Sequence, residues 1–271
     1  MSNVIRDRNG VPFTGNKHQI ALGMWDNVSG ARKFFAGLST ATKGTLCDVA
    51  SNSVFSWVNP TSYGAMGIRS DNVQDTVAGS GIDTIKVFGV TNSYDLRMEN
   101  ITLVGSDTVF TSNSDYIHCW RMHSTPEGST KTGDPNAVQE AGNIICTIAG
   151  TAVSQITQGN GQTLQSPYIV PNSYYAMLDG LNVVAPSGKT ATCQLVCRDV
   201  AHTDSGTFTF SGVRTLDESP VFETDYAPKI EPIRFEPRTM IEMRSQLSAT
   251  TSRLGGSFNM YLFPVDPGAA I

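Results

Sequence analysis

The residues best suited to chemistry in this chain are His118, Cys119 and His123, gathered in the hexapeptide HCWRMH. Imidazole nitrogen and thiolate sulfur are ligands of tetrahedral zinc, so a metal site is the first idea to test. Along an unbroken strand, alternation sends His118 and Cys119 to opposite faces and separates His118 from His123 by parity. The three converge only around a sharp bend, and no further ligand pair stands at turn spacing, so no metal site is expected. The triplets Gly79-Ser80-Gly81 and Gly159-Asn160-Gly161 do not make phosphate loops. Neither runs on to a Lys-Ser/Thr pair or opens a helix whose N-terminus would hold an anion, and both read as turns. There is no Gly-x-Ser-x-Gly elbow, and the four histidines have no evident serine or cysteine partner. The 24 acidic residues fall mainly in segments read as loops, such as RTLDESPVFETDY, and no motif selects a glycosidase pair among them. The chain is therefore expected to be no enzyme, with no catalytic residue, bound metal or cofactor.

If the side chains do no bond-making, the elements that carry them matter more. Hydrophobic residues make up 39% of the 271-residue chain and charged residues only 16%, the difference being filled by Ser, Thr, Asn and Gln. That balance suits β-strands with apolar inner faces and uncharged polar outer faces. A net charge of −5 argues against direct nucleic-acid binding, which calls for a basic stripe. No stretch reaches the ~18 consecutive apolar residues of a membrane-spanning helix. The N-terminal MSNVIRDRNGVPF has no hydrophobic signal core, so the chain is expected to be made in a cytoplasm. Asn27-Val-Ser and Asn100-Ile-Thr match the glycosylation pattern, which counts only in a secretory chain. The five cysteines, at 47, 119, 146, 193 and 197, form no dense framework. Cys193 and Cys197 share one strand face about 13 Å apart, too far for a bridge, and all five read as small buried hydrophobes.

Period-two alternation dominates, punctuated by turns, and predicts an all-β protein of tandem sandwich or jelly-roll-like domains. TATCQLVCRDV sets Cys193, Leu195 and Cys197 on one face; GSFNMYLFPV does so with Phe258, Met260 and Leu262; TMIEMRSQL sets Ile241 and Met243 against Glu242, and the second face of each strand is expected to meet water or a partner. In GSGIDTIKVFGVTNSYDLRMENITLVG the apolar parity changes between Met98 and Ile101, which predicts either a bulge near Asn100 or a strand buried on both faces. The chain divides into a leading segment 1–50, a first sandwich 51–151 and a second sandwich 152–271. ARKFFAGLST, residues 31–40, reads as an extended arm rather than a short helix. STPEGSTKTGDPNAVQEAG reads as a long exposed loop.

Three blocks carry a resemblance. ITQGNGQTLQSPYIVPNSYYAMLDGLNVVA, GIDTIKVFGVTNSYDLRMENITLVG followed by DYIHCWRMH, and PKIEPIRFEPRTMIEMRSQLSATTSRLGGSFNMYLFPVD are similar to blocks in virion structural proteins of marine and cyanobacterial bacteriophages. The likeness spans roughly residues 79 to 271 and rests on strand-and-turn patterns. It departs from the family where a Gly-Lys turn usually follows Val-Pro and this chain has Asn172-Ser173-Tyr174. The resemblance implies β-sandwich domains assembled as homo-oligomers on the phage head or tail.

Taken with the composition, this leads to the expectation of a capsid decoration or cement protein on the head surface. Its partners would be copies of itself, a trimer being favoured, and the major capsid protein or other virion proteins. Arg6, Arg8, Phe13, Trp25, Phe34 and Phe35 in the leading segment are the candidate capsid-docking residues. The alternatives are a tail, neck or fibre component that binds host glycan through the loop from Ser124 to Gly142, or a double-barrel major capsid protein.

Overall fold

The computed structural model describes residues 29–39, 47–48, 62–125, 139–184, 190–202, 208–222, 233–247 and 252–265. Among them the chain is all-β, with no α-helix. The strands are β1 (Ser29–Ser39), β2 (Cys47–Asp48), β3 (Met66–Ser70), β4 (Thr84–Thr91), β5 (Leu96–Thr102), β6 (Val109–Phe110), β7 (Tyr116–Ser124) and β8 (Ile144–Ile148). They continue with β9 (Thr151–Ile156), β10 (Tyr168–Ile169), β11 (Tyr174–Val184), β12 (Thr190–His202), β13 (Phe208–Phe222), β14 (Ile233–Phe235), β15 (Met240–Leu247) and β16 (Ser252–Pro264).

Two antiparallel sheets, ordered β5-β4-β7 and β6-β3-β8-β9, close on one apolar core. Ile85, Val87, Ile101 and Met122 enter it from the first sheet, and Met66, Ile68, Ile144, Cys146, Ile148 and Val153 from the second. A second pair of sheets is ordered β1-β16-β11-β14 and β10-β15-β12-β13, with β2 beside β15. Strand pairing thus puts β9, which begins at Thr151, beside β8 in the first sandwich, and β1 and β2 among the strands of the second set.

The inward rows read from the sequence are buried where their side chains are described, Leu195 and Cys197 in β12 and Phe258, Met260 and Leu262 in β16, but in β16 Ser257 and Tyr261 of the opposite parity are buried as well. Cys119, Cys146 and Cys197 are free and buried, as expected of small hydrophobes. Residues 31–39 of that segment are extended and lie within β1, which pairs antiparallel with β16 from Ser29 opposite Leu262 to Ser39 opposite Ser252. Three expectations fail. Glu242 does not meet water: it is 1% exposed, because β15 lies inside its sheet and its neighbour Met240 packs against the first sandwich. RTLDESPVF, read as a loop, continues β13, with Pro220 opposite Thr192. β13 has a partner on one side only among the described residues, and an edge position tolerates a residue with no N–H to give. Finally, β5 has no bulge at Asn100, since its register with β4 runs unbroken from Leu96–Val90 to Thr102–Thr84. Ile101 and Leu103 face the core, while Leu96 and Met98 face out and stay exposed.

The irregularity lies in β7 instead. Its register with β4 steps twice, so that Arg121 opposes Phe88, Cys119 opposes Gly89, His118 opposes Val90 and Tyr116 opposes Thr91. Trp120 and Ile117 are the extra residues. Each restores the inward parity one place late, so Tyr116, Cys119 and Met122 all enter the first core. Gly89 makes room for this: a Cβ there would lie 2.6 Å from the Tyr116 ring. Ile117, with Trp120 packed against it, joins a separate cluster with Val90, Tyr94, Ile169 and Met240. That cluster is the joint between the sandwiches, as Ile169 and Met240 belong to β10 and β15.

Tyr94 seats the joint. It sits in the β4–β5 turn with φ of 65°, held by its N–H to the Thr91 carbonyl at 2.8 Å. Its own carbonyl accepts from the Asn172 N–H at 2.9 Å, and its ring lies 5.2 Å from the Arg238 guanidinium. Arg238 in turn donates from Nε to Asn172 Oδ1 at 2.9 Å. Two further ties cross from the connecting segment: Gln165 Nε2 donates to the Cys119 carbonyl at 2.7 Å, and the Met243 N–H donates to Ser166 Oγ at 3.0 Å. Burial, opposed in part by the charge of Arg238, pushes the Tyr94 phenol up to about 12, and its hydroxyl oxygen is buried with no hydrogen-bond partner.

A buried hydroxyl without a partner costs about 1–3 kcal/mol of desolvation, whereas the ring fills the joint. Tyr94→Phe is therefore expected to leave stability unchanged or raise it by about 1 kcal/mol, while Tyr94→Ala loses about 3–5 kcal/mol. Urea unfolding of both variants checks this, and a Phe variant much weaker than wild type would show that the hydroxyl carries a bond.

Candidate interaction surface

β5 is the outermost strand of its sheet, and its even-numbered side chains point away from the core. Leu96, Met98, Asn100 and Thr102 follow one another along this face, and Val104 continues it beyond the strand end. Met98 is 63% exposed and Val104 53%. Val104 also forms an isolated bridge with Thr76, in a loop that presents Val73, 65% exposed, and Val77. On β6, at the adjoining edge of the other sheet, Phe110 is 64% exposed. Exposed apolar side chains scattered singly need no explanation, but a row of them along one strand marks a surface built for contact.

Two carboxylates hold this surface rigid. Glu99, on the inward face of β5, closes the gap between the β5 and β6 edges. Its Oε2 accepts from the Ser112 N–H at 2.7 Å and Ser112 Oγ at 2.8 Å, and its Oε1 from Asn113 Nδ2 at 2.8 Å and the Tyr116 hydroxyl at 2.7 Å. Partial burial opposes ionisation of Glu99, but the hydrogen bonds from Tyr116, Asn113 and Ser112 outweigh it and bring its pKa down to about 2. Burial, and then Glu99 itself, pushes the Tyr116 phenol well above its ordinary range. Asp75 performs the same task at the loop end. Fully buried, it accepts from Ser70 Oγ at 2.6 Å, the Ile82 N–H at 3.0 Å, the Ala141 N–H at 2.8 Å and the Gly142 N–H at 3.0 Å. Four donors on one carboxylate fasten the valine-bearing loop to the start of β4 and to the chain entering β8.

The residues singled out from the sequence fall elsewhere. Arg6, Arg8, Phe13 and Trp25 lie outside the described residues. Phe34 and Phe35 lie in β1, opposite Ser257 and Gly256. Of the loop from Ser124 to Gly142, residues 126–138 are likewise outside them. His118, Cys119 and His123 are not brought together: Cys119 is in the core, and the two histidines oppose Val90 and Lys86, four residues along β4 and so about 13 Å apart. The parity argument against them is corrected, since the extra residue Trp120 between them brings both histidines to the side of β7 that faces away from the first core. Among the described residues no group of three or more His, Cys, Asp or Glu is placed to hold a metal ion. The glycine triplets are turns. Gly81 donates to the Gln74 carbonyl at 2.9 Å, and Gly159 and Gly161 have φ of 78° and 66°. Glu99, Asp75 and the β5 row carry no sequence signature beyond the parity change at Met98.

No family model matches the chain, and no curated protein matches it. Among solved structures it is similar to two of infectious bursal disease virus, of the Gx and Gt strains. Each is 10% identical with a TM-score of 0.24, covering 89% of this chain and 71% of the Gx chain, and 87% and 72% for Gt. At that score the overlap supports no argument about this chain.

The Glu99 clasp makes stability depend on acid. A carboxyl whose folded pKa lies below its unfolded value of ~4.3 contributes fully above about pH 5, and the contribution is lost as pH falls toward the folded value. Wild type is therefore expected to exceed Glu99→Gln in urea midpoint at about pH 6, with the gap closing by about pH 2. A gap of constant size across that window would show that the charge of Glu99 is not what the clasp uses.

Proposed function

We propose that the chain is a bacteriophage virion structural protein, and within that class a decoration or cement protein bound to the outside of the head. The blocks between residues 79 and 271 that resemble phage virion proteins support the class. The observation that carries the docking role is the β5 row, where Leu96 and Met98 on the strand and Val104 just beyond it are exposed, the strand being fixed from below by Glu99. Seating that row on a shell removes apolar area from water at about 25 cal/mol per Å². Low charge keeps the desolvation penalty of such a contact small, because cores of interfaces are depleted of charged residues. Copies arranged with the shell's symmetry, as trimers or another closed ring, multiply a modest contact through avidity. The mechanism is mechanical: surface buried across capsomer joints resists the internal pressure of packaged DNA. The leading segment, with Arg6, Arg8, Phe13 and Trp25, adds a second tether in this reading.

Met98→Asp combined with Val104→Asp is expected to weaken binding to purified heads at least tenfold, since each buried apolar side chain is worth about 1.5–3 kcal/mol. The circular dichroism spectrum should not change, because both positions are exposed. Removing residues 1–28, which leaves β1 intact, is expected to weaken binding further. Antibody labelling of whole particles reads the location: signal over the head accords with decoration, and signal confined to the tail overturns it in favour of a tail, neck or fibre role. Undiminished binding by the double variant would remove the β5 row from the interface.

A further inference from the structure

Among the described residues Asn160 is the one asparagine followed by glycine, and it stands in the turn that leaves β9. The chain on both sides of it is tied down. Before it, the Gln158 N–H donates to Asn143 Oδ1 at 3.1 Å and Gln158 Nε2 to the Ala141 carbonyl at 3.0 Å. The Asn160 N–H closes the turn on the Thr157 carbonyl at 3.0 Å. After it, the Gly161 carbonyl accepts from the Ser124 N–H at 2.9 Å and from Ser124 Oγ at 3.1 Å. The Asn160 side chain is left over. It is exposed, and its amide has no hydrogen bond among the described residues, whereas Asn72, Asn113, Asn143 and Asn172 each bond through theirs. Gly161 has φ of 66° and no Cβ to screen its nitrogen from the neighbouring side chain. That nitrogen faces a carboxylate, since the Gly161 N–H donates to Glu140 Oε2 at 3.3 Å. Glu140 is 3% exposed, and its Oε1 is buried with no hydrogen-bond partner among the described residues. A buried carboxylate so sparsely bonded is costly and calls for a reason.

We propose that Asn160 modifies itself, deamidating through a cyclic imide to a mixture of aspartate and isoaspartate, with Glu140 as the proton acceptor. An amide nitrogen attacks a carbonyl carbon only as its proton leaves, and a carboxylate already bonded to that proton is placed to take it. The Gly161 nitrogen bonds to Asn160 Cγ while its proton passes to Glu140; the Cγ–Nδ2 bond then breaks, and ammonia leaves with that proton. Water opens the ring, at Cγ to give aspartate or at the Asn160 main-chain carbonyl to give isoaspartate. One water enters and one ammonia leaves, and nothing is oxidised or reduced. The product carries a new negative charge close to buried Glu140. Isoaspartate also routes the main chain through the former side chain, which displaces Gly161 from Ser124 at the end of β7. The turn is thus an irreversible clock that loosens the segment joining the sandwiches. This inference stands on the turn alone and does not depend on the proposed function.

The test ages the full chain in warm neutral buffer, followed by peptide mapping and an isoaspartyl methyltransferase assay. The Asn160 peptide is expected to gain the acid and isoaspartyl forms while those of Asn92, Asn100 and Asn172 stay intact; Asn9, also followed by glycine, is scored on its own peptide. The urea midpoint should fall as Asn160 converts and should hold in Asn160→Gln, whose longer side chain closes a ring far more slowly. Glu140→Gln should slow conversion severalfold. A second measurement needs no variant: in urea above the unfolding transition Glu140 and Gly161 part, so conversion should be slower than in the folded chain, the reverse of an unassisted Asn-Gly pair. An Asn160 peptide unchanged after ageing would overturn the proposal. Conversion as fast in Glu140→Gln, or faster in urea, would overturn the role of Glu140.

Discussion

The fold hangs on β7, and on the two residues that β7 carries in excess of its partner. A regular strand divides its side chains equally between two faces and serves one core well. With Ile117 and Trp120 inserted against β4, the same nine residues supply Tyr116, Cys119 and Met122 to the first core and Ile117 and Trp120 to the joint. Removing either extra residue would rotate everything beyond it to the wrong side, the cost any register slip carries in a sheet with buried faces. Among the described residues no strand lies beside the far edge of β7, yet that edge is not bare. Thr163 donates to the Met122 carbonyl at 2.9 Å and Ser124 to the Gly161 carbonyl at 2.9 Å, so the connection between the sandwiches runs along that edge and covers it.

The second constraint is electrostatic. A sandwich built from three- and four-stranded sheets has open sides, and among the described residues one side is sealed by a carboxylate and not by a further strand. Glu99 turns inward on an edge strand, a position that also blocks the strand from pairing with another chain. The outer face of β5 is thereby left as the part of that strand free to meet a partner. Face-on contact by Leu96, Met98 and Val104 fits this geometry, and addition of a strand at β5 does not. β1 and β13, of 11 and 15 residues, each have one neighbour among the described strands, and they are the long edges open to strand addition.

Alternation made much of this architecture legible in the residues. β12 and β16 could be placed from Leu195 and Cys197, and from Phe258, Met260 and Leu262, residues that the structure buries. Reading failed wherever a strand serves two neighbours or none. Glu242 alternates correctly with Ile241 and Met243 but is buried, since the first sandwich covers the other face of β15; that contact spans more than a hundred residues and leaves no local mark. In β13, Pro220 with Asp217 and Glu218 imitates a loop, and only the edge position makes those residues acceptable in a strand. The parity change after Met98 was visible, but its cause lies in exposure and not in a bulge. A sequence records that two apolar pairs disagree in phase without recording which of them faces water. The carboxylate hubs were invisible for a related reason: Asp75 draws donors from residues 70, 82, 141 and 142, and nothing at Asp75 itself distinguishes it from a loop aspartate.

The joint shows how the pieces act together. Tyr94 occupies the turn between β4 and β5, so the hairpin whose outer face bears the apolar row is the same hairpin that the second sandwich grips. A force applied to Met98 passes along β5 to a turn anchored by Asn172 and Arg238, and along β4 to a register locked by Tyr116 over Gly89. Strain on such a surface is therefore shared by both sandwiches and does not concentrate in a flexible linker. The path runs through a tyrosine in a left-handed turn and the arginine whose guanidinium lies over its ring.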